Sequence, residues 1–193
     1  MEYNSIKKEI ILNRILSKLD KFVVDFVKHI DNYVIVSGYV SIVTGRSRAT
    51  EDVDLLVPKL DFEDFKKIWN NLNNADFECI NTLEIKTAFE MLNEYAIRFC
   101  KKGRAIPNIE FKLIKNDLDK YSYDNKLILK LKNKILFISP FEIQIAYKLY
   151  LGSEKDLEDA KHLYSLFKDK LNLNELMKLV KLLNVENKFN LVK

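Results

Sequence analysis

Apolar residues recur along this chain at two different spacings, which predict a mixture of helices and strands. Near the start, eight apolar residues from Ile6 to Phe26 follow the three- to four-residue repeat of one helix face. This spacing predicts one long amphipathic helix over 4–30. Shorter apolar runs bounded by turn residues predict strands instead. In chain order, a strand is expected over 33–36, a helix over 38–45 and a strand over 52–57.

The rest of the chain continues with strands and then ends in helices. Asp61 can cap a helix over 62–73, and Asn133 can form the turn of a hairpin over 126–138. Because strands come first and helices last, the order predicts an α+β fold with a mixed sheet and flanking helices over 1–138 and a helical region over 139–193. Further strands are expected at 77–80, 96–100 and 109–114, and further helices at 82–93, 140–151, 154–168 and 172–184.

Two carboxylates lie at alternate positions of the strand expected over 52–57. Because side chains alternate along a strand, Asp52 and Asp54 share one face while the apolar residues of the strand face the core. Such a pair repels itself unless a cation lies between its members. Hard oxygen ligands favour Mg²⁺ or Mn²⁺ over zinc, so a divalent ion is expected here. Asp-x-Asp by itself is also common at solvent-facing strand starts.

Two further features surround this pair. The turn at Ser37 and Gly38 leads into a short helix, whose first N–H groups suit a phosphate. In the strand over 109–114, Glu110 and Lys112 face away from their apolar neighbours. Two-metal transfer needs several carboxylates, so Glu110 is expected to complete the metal platform. An exposed glutamate on an edge strand beside Lys112 is the alternative.

A charged cluster follows in the helical region. Lys148 lies inside an apolar helical run, where its ammonium either reaches solvent or meets an anion in a cleft. Asp156 and Asp159 lie near the start of the next helix, where the helix dipole favours carboxylates without any functional role.

Composition excludes several protein classes. With 48% hydrophobic residues, four Gly and three Pro, the chain can form a packed core and is not a disordered linker. No apolar run has the length of a membrane span, and the first residues of the chain are polar. We therefore expect a cytoplasmic protein that does not associate with a membrane. Cys79 and Cys100 have no CxxC partner and are expected to be buried thiols.

The charge is uneven along the chain. Residues 1–111 carry −1 and residues 112–193 carry +5, with lysines concentrated from Lys115 to Lys134. One interpretation is that this stretch contacts a polyanion such as RNA, with Tyr121 and Tyr123 stacking on bases. The alternative is a solvated face whose lysines protect an exposed strand edge from aggregation.

Together these segments resemble the motif set of the AbiEii-type nucleotidyltransferases, which belong to the DNA polymerase β-like superfamily. The resemblance covers 33–57 and 138–167 and implies a Mg²⁺-dependent transferase that uses an NTP. Several members are toxins of type IV toxin–antitoxin systems, which implies a cognate antitoxin as a partner. The motifs that carry it are Ser37-Gly38, Gly45, Arg48-x-Thr50-x-Asp52-x-Asp54, Lys148 and Lys155-Asp156-x-x-Asp159.

The resemblance also implies a role for each matching residue. Asp52, Asp54 and Glu110 would hold the metal and, with Lys148, form the catalytic set. Ser37 stands where the family has Gly, and Glu110 where many members have Asp, so the turn and the third acid depart from the pattern. The residues implied to bind the nucleotide are Ser37, Gly38, Arg46, Arg48, Thr50, Lys148 and Asp156.

The function expected is therefore transfer of an NMP from an NTP to an acceptor hydroxyl, on RNA such as tRNA or on a protein. The C-terminal helices would complete the active-site cleft. The alternative is a catalytically inactive nucleotide- or RNA-binding module that retains the fold. A metal-independent scaffold would explain the helices but not the order of the motifs.

Overall fold

All nine strands of the chain join one mixed sheet, and nine α-helices surround it. The computed structural model describes residues 1–193. The strands are β1 (Glu2–Asn4), β2 (Glu9–Leu12), β3 (Val34–Val36), β4 (Asp52–Val57), β5 (Phe77–Cys79), β6 (Ile97–Lys101), β7 (Arg104–Leu113), β8 (Leu127–Leu131) and β9 (Lys134–Ile138). The helices are α1 (Lys18–Val27), α2 (Gly38–Val43), α3 (Phe62–Asn74), α4 (Ile85–Glu94), α5 (Asp117–Asp124), α6 (Phe141–Leu151), α7 (Glu154–Phe167), α8 (Leu173–Leu182) and α9 (Glu186–Phe189).

The sheet is mixed, and its parallel strands β4 and β7 follow the middle strand β3. The strand order is β1-β2-β8-β9-β3-β4-β7-β6-β5, and the parallel pairs are β2 with β8, β3 with β9, and β4 with β7. In the β4–β7 pair, Asp54 lies opposite Glu110 and Asp52 lies opposite Asn108. Because paired residues point to the same face, this register brings Asp54 and Glu110 side by side.

The two faces of these central strands differ in polarity. On one face, Val53, Leu55 and Phe111 are fully buried. Phe111 packs edge-on against Phe99, which contacts Phe26 of α1 in turn. The opposite face carries the charged side chains of β4 and β7 and is flanked by α5 and α6. The apolar face thus anchors the strands and leaves the polar face available for a site.

The predicted helix over 4–30 is wrong in its first half. Only Lys18–Val27 is helical, and the residues before it form the strands β1 and β2. Lys8 turns the chain between them with a positive φ of 52°. Ser17 then begins α1 with a reciprocal capping box, which sets the start of the helix. Ile6 and Ile15, which the helical pattern would bury, are 94% and 82% exposed.

Most other elements are confirmed, including the α+β mixed sheet, the hairpin at β8 and β9, and the three C-terminal helices α6 to α8. Asp61 caps α3 as expected. Three differences remain: α5 and the short α9 were not expected, and β7 begins at Arg104, well before residue 109. Cys79 and Cys100 are buried free thiols. None of the helices has the length and apolar character needed to cross a membrane.

Candidate functional site

The carboxylates expected from the sequence meet on the polar face of the sheet. The side chains of Asp54 and Glu110 are 15% and 17% exposed, and neighbouring strands are about 4.8 Å apart. Asp52 lies on the same face, nearer the start of β4, and its carboxylate accepts a hydrogen bond from the Thr50 hydroxyl at 3.3 Å. The structure therefore brings the two aspartates and the glutamate to one region.

Two basic side chains already contact these carboxylates. The Lys112 ammonium lies 2.7 Å from Asp54 and 3.3 Å from Glu110. Arg98 donates to Glu110 at 3.2 Å. Burial raises the pKa of Glu110 above its usual value, with the charge of Asp54 adding to the rise and the Lys112 ammonium opposing it. No group of three acidic, histidine or cysteine side chains is close enough together to hold a metal ion.

The turn before α2 has an unusual backbone. Ser37 adopts φ 60° and ψ −133°, a conformation that residues with a Cβ rarely adopt. Its N–H donates to the Gln144 side chain at 2.9 Å, which ties the turn to α6. Gly38 leaves room for Arg48, because a Cβ at this position would overlap the Arg48 guanidinium and displace it. The turn therefore contacts both α6, through Gln144, and the segment after α2, through Arg48.

Lys148 lies beneath this turn rather than in open solvent. Its side chain is 2% exposed, and its ammonium lies 2.7 Å from Asp156, 3.1 Å from Asp159 and 3.5 Å from the Ser37 hydroxyl. Burial alone would raise the pKa of Asp156, but hydrogen bonds from Lys148 and Ser153 outweigh it and lower that pKa. The sequence left open whether the Lys148 ammonium reaches solvent or meets an anion. The structure shows that it contacts anions, namely the carboxylates of Asp156 and Asp159.

Two arginines complete the buried cluster. Arg48 binds both oxygens of Asp159 at 3.0 and 3.1 Å, and Arg46 also binds this carboxylate. Both arginines come from the segment after α2, so their contacts connect that segment to α7. With Lys148 and Asp156, the cluster contains three cations and two carboxylates, a net charge of +1 next to the Ser37 hydroxyl.

A cavity of about 680 Å³ joins the turn to the carboxylates. Residues of β4 and β7 form one wall, and α5 and α6 form the other. The sequence analysis missed the α5 wall, because it expected no helix there. It also missed Arg98 and Tyr147; the alternation of Arg98 with buried Ile97 and Phe99 is the signal that places it on the polar face. The polar side chains that line the cavity include Ser37, Asp54, Arg98, Glu110, Lys112 and Tyr147.

A second cavity, of about 1150 Å³, follows α1 and reaches the segment from Arg48 to Thr50, just before Asp52. Its lining contains one acidic residue, Asp25, which forms ion pairs with two of the lysines. Arg48 pairs with Asp159, and the other four basic residues make no ion pair. The basic residues of this lining are Lys18, Lys21, Lys28, Arg48, Lys101, Arg104 and Lys134.

The lysines from Lys115 to Lys134 are distributed over different parts of the molecule. Lys115 lines the cavity beside the carboxylates, whereas Lys134 lines the cavity along α1. Lys130 forms an ion pair with Glu9, and Lys126 lies over the ring of Tyr123.

Comparison with known proteins identifies the fold. No family model and no curated protein matches the sequence. An antigenic nucleotidyltransferase-like protein from Paracoccidioides brasiliensis is similar in structure, with a TM-score of 0.53 and 17% identity over 92% of this chain and 93% of that one. ANT(2″)-Ia, solved in complex with adenylyl-2″-tobramycin, gives a TM-score of 0.49 and 10% identity over 86% of this chain and 94% of that one. The first similarity shows that this chain has a nucleotidyltransferase-type fold.

Proposed function

We propose that this protein is a nucleotidyltransferase that moves an NMP from an NTP to an acceptor hydroxyl. The observation that carries the proposal is the placement of Asp52 and Asp54 on the polar face of β4, with Asp54 lining the same cavity as Ser37. Carboxylates on one strand next to a helix-initiating turn are the parts that nucleotidyl transfer needs. The fold, shared with a nucleotidyltransferase-like protein, supports the same conclusion.

The cofactor we propose is Mg²⁺ or Mn²⁺. The donors available to such an ion are the Asp52 carboxylate, which contacts the Thr50 hydroxyl, and the Asp54 oxygen that no basic side chain contacts. Asp52 and Asp54 would hold the ion, and Thr50 would orient Asp52. Held by these residues, a divalent ion would supply the positive charge that lowers the pKa of the attacking hydroxyl and neutralises the departing pyrophosphate.

The triphosphate would lie at the turn of Ser37 and Gly38. Lys148 is too buried for broad contact with a ligand, but it belongs to the cluster of net charge +1 next to the Ser37 hydroxyl. We propose that Asp156 positions Lys148 and that Arg46 and Arg48 hold the turn through Asp159. These residues then favour a phosphate by charge and position rather than by many direct contacts.

We propose RNA, such as tRNA, as the acceptor, with a protein side chain as the other candidate. The cavity along α1 presents seven basic residues and a single acidic one and ends beside the Asp52 strand. Such a charge distribution attracts a polyanion. By its motifs we group the protein with the AbiEii-type enzymes, which adds a toxin role, a cognate antitoxin and a cytoplasmic location to the proposal.

One observation favours the alternative of an inactive nucleotide- or RNA-binding module. Lys112 and Arg98 already neutralise charge at Asp54 and Glu110, so these carboxylates need no metal ion for the stability of the fold. Retention of these two carboxylates is therefore compatible with an inactive module.

The proposal is tested by incubating the protein with each α-³²P-labelled NTP, Mg²⁺ or Mn²⁺, and total RNA. Wild type and the control Glu51→Gln, which changes an exposed neighbour, should label RNA, whereas Asp52→Asn/Asp54→Asn should not. Equal labelling by the double variant would contradict the assignment of the site. Nucleotide binding without labelling of RNA or of added protein would support the inactive module instead.

A further inference from the structure

Lys112 occupies the position between two carboxylates where a metal ion would be expected. Its ammonium lies 2.7 Å from Asp54 Oδ1 and 3.3 Å from Glu110 Oε2. Its side chain is only 34% exposed, so the contacts are not those of a freely solvated lysine. Building on the function proposed above, we propose that Lys112 is a built-in counter-cation of the site, which therefore binds one divalent ion instead of two.

The backbone keeps Lys112 in place. It lies on β7 two residues after Glu110, so both side chains emerge on the same face. Its neighbours Phe111 and Leu113 are buried on the opposite face and hold the strand against the core. The parallel register places Lys112 opposite Leu56, two residues beyond the Asp54–Glu110 pair. The lysine needs only to fold back along its own strand to reach both carboxylates.

Each oxygen of Glu110 already contacts a basic side chain. Its Oε1 accepts from Arg98 at 3.2 Å, and its Oε2 lies 3.3 Å from Lys112. A divalent ion on Glu110 would lie next to the Lys112 ammonium and the Arg98 guanidinium and would be repelled by both. Glu110 therefore acts by holding Lys112 and Arg98, not as a ligand.

The oxygens that no basic side chain contacts all belong to β4. They are Asp54 Oδ2 and both oxygens of Asp52, one of which accepts from Thr50. This set can hold one hard divalent ion with water completing its shell. Lys112 then supplies a second positive charge at fixed distance from that ion. It is a positioning residue, since it acts through Asp54 and Glu110.

The test is a titration with Mn²⁺, in which electron paramagnetic resonance counts the ions bound per chain. Wild type should bind one Mn²⁺. Lys112→Met, which frees one oxygen each on Asp54 and Glu110, should bind two. Lys112→Arg keeps the charge and should bind one. The matched control is Lys115→Met, since Lys115 lines the same cavity without an ion pair and should leave the count at one.

Two results would overturn the proposal: two Mn²⁺ bound to wild type, or a single Mn²⁺ bound to Lys112→Met with its circular dichroism unchanged. If Lys112→Met does not fold, the wild-type count still decides, because one ion supports the proposal and two contradict it. No bound Mn²⁺ in any variant would overturn the metal dependence of the proposed function together with this inference. Two ions in wild type would leave the proposed function intact.

Discussion

Ser37 is the residue at which the structure predicts a gain in stability from a single substitution. Its φ of 60° and ψ of −133° are accessible to Gly and unfavourable for any residue with a Cβ. A non-glycine residue held in such a region costs about 1–3 kcal/mol, and such strain is often found at functional sites. The contact between the Ser37 N–H and Gln144 keeps the turn in place despite this cost. Ser37→Gly should therefore stabilise the fold.

The expected gain follows from three contributions. Relief of backbone strain adds about 1–3 kcal/mol to the free energy of unfolding. The greater freedom of Gly in the unfolded chain subtracts about 0.5–1 kcal/mol. Loss of the Ser37 hydroxyl removes one long contact, 3.5 Å from the Lys148 ammonium, which is worth less than about 1 kcal/mol. The net expectation is a stabilisation of about 1 kcal/mol, which raises Tm by about 2–4 °C in a chain of this size.

Urea unfolding of wild type, Ser37→Gly and Ser37→Ala measures this directly. Ser37→Ala removes the hydroxyl but keeps the Cβ, so it should be less stable than wild type. Ser37→Gly should exceed Ser37→Ala by at least about 1 kcal/mol, the reverse of the order usual inside a helix. If Ser37→Ala proved as stable as Ser37→Gly, the turn would not be strained and the reasoning would be refuted.

Three further predictions concern burial and charge. Lys148→Met should lower the free energy of unfolding by about 3 kcal/mol in urea, because it leaves Asp156 buried without its cation, and Asp156→Asn in that background should restore part of the loss. Burial lowers the pKa of His29 and of His162, so protonation favours the unfolded state. The urea concentration at the unfolding midpoint should therefore be lower at about pH 5.5 than at about pH 7.5, and an unchanged midpoint would contradict this. Neutralising three unpaired basic residues of the α1 cavity should flatten the salt dependence of RNA binding. The same number of changes on β8 and its adjoining turn residues should leave that dependence unchanged. The opposite result would assign RNA binding to the β8 lysines instead. The two triples are Lys18, Lys21 and Arg104, and Lys126, Lys130 and Lys132.

The centre of the fold could be predicted from the sequence because its signals are local. In β4, the alternation of Asp52 and Asp54 with buried Val53 and Leu55 identified both the strand and the face that carries the candidate site. The region before Ser17 could not be predicted in the same way, because its isoleucines satisfy the helical spacing as well. Pairing of β2 with β8, more than 100 residues away, decides that those residues form a strand.

The site itself was predictable only in part, for a related reason. The sequence identified Glu110 by its position among buried residues, but its contacts depend on the register between β4 and β7 and between β6 and β7. The partnership of Lys112 with Asp54 joins residues 58 positions apart. Likewise, the burial of Lys148 depends on the packing of α6 against α7, which no local spacing encodes.

Nucleotidyl transfer at the Asp52–Asp54 face is tested most directly by the position of the label. Parallel reactions would contain the same NTP labelled with ³²P at either the α- or the γ-phosphate, with Mn²⁺ and total RNA. Transfer of an NMP predicts label on the acceptor from the α-phosphate only, and none with Asp52→Asn/Asp54→Asn. Label arriving from the γ-phosphate, or α-label that persists in the double variant, would contradict the account.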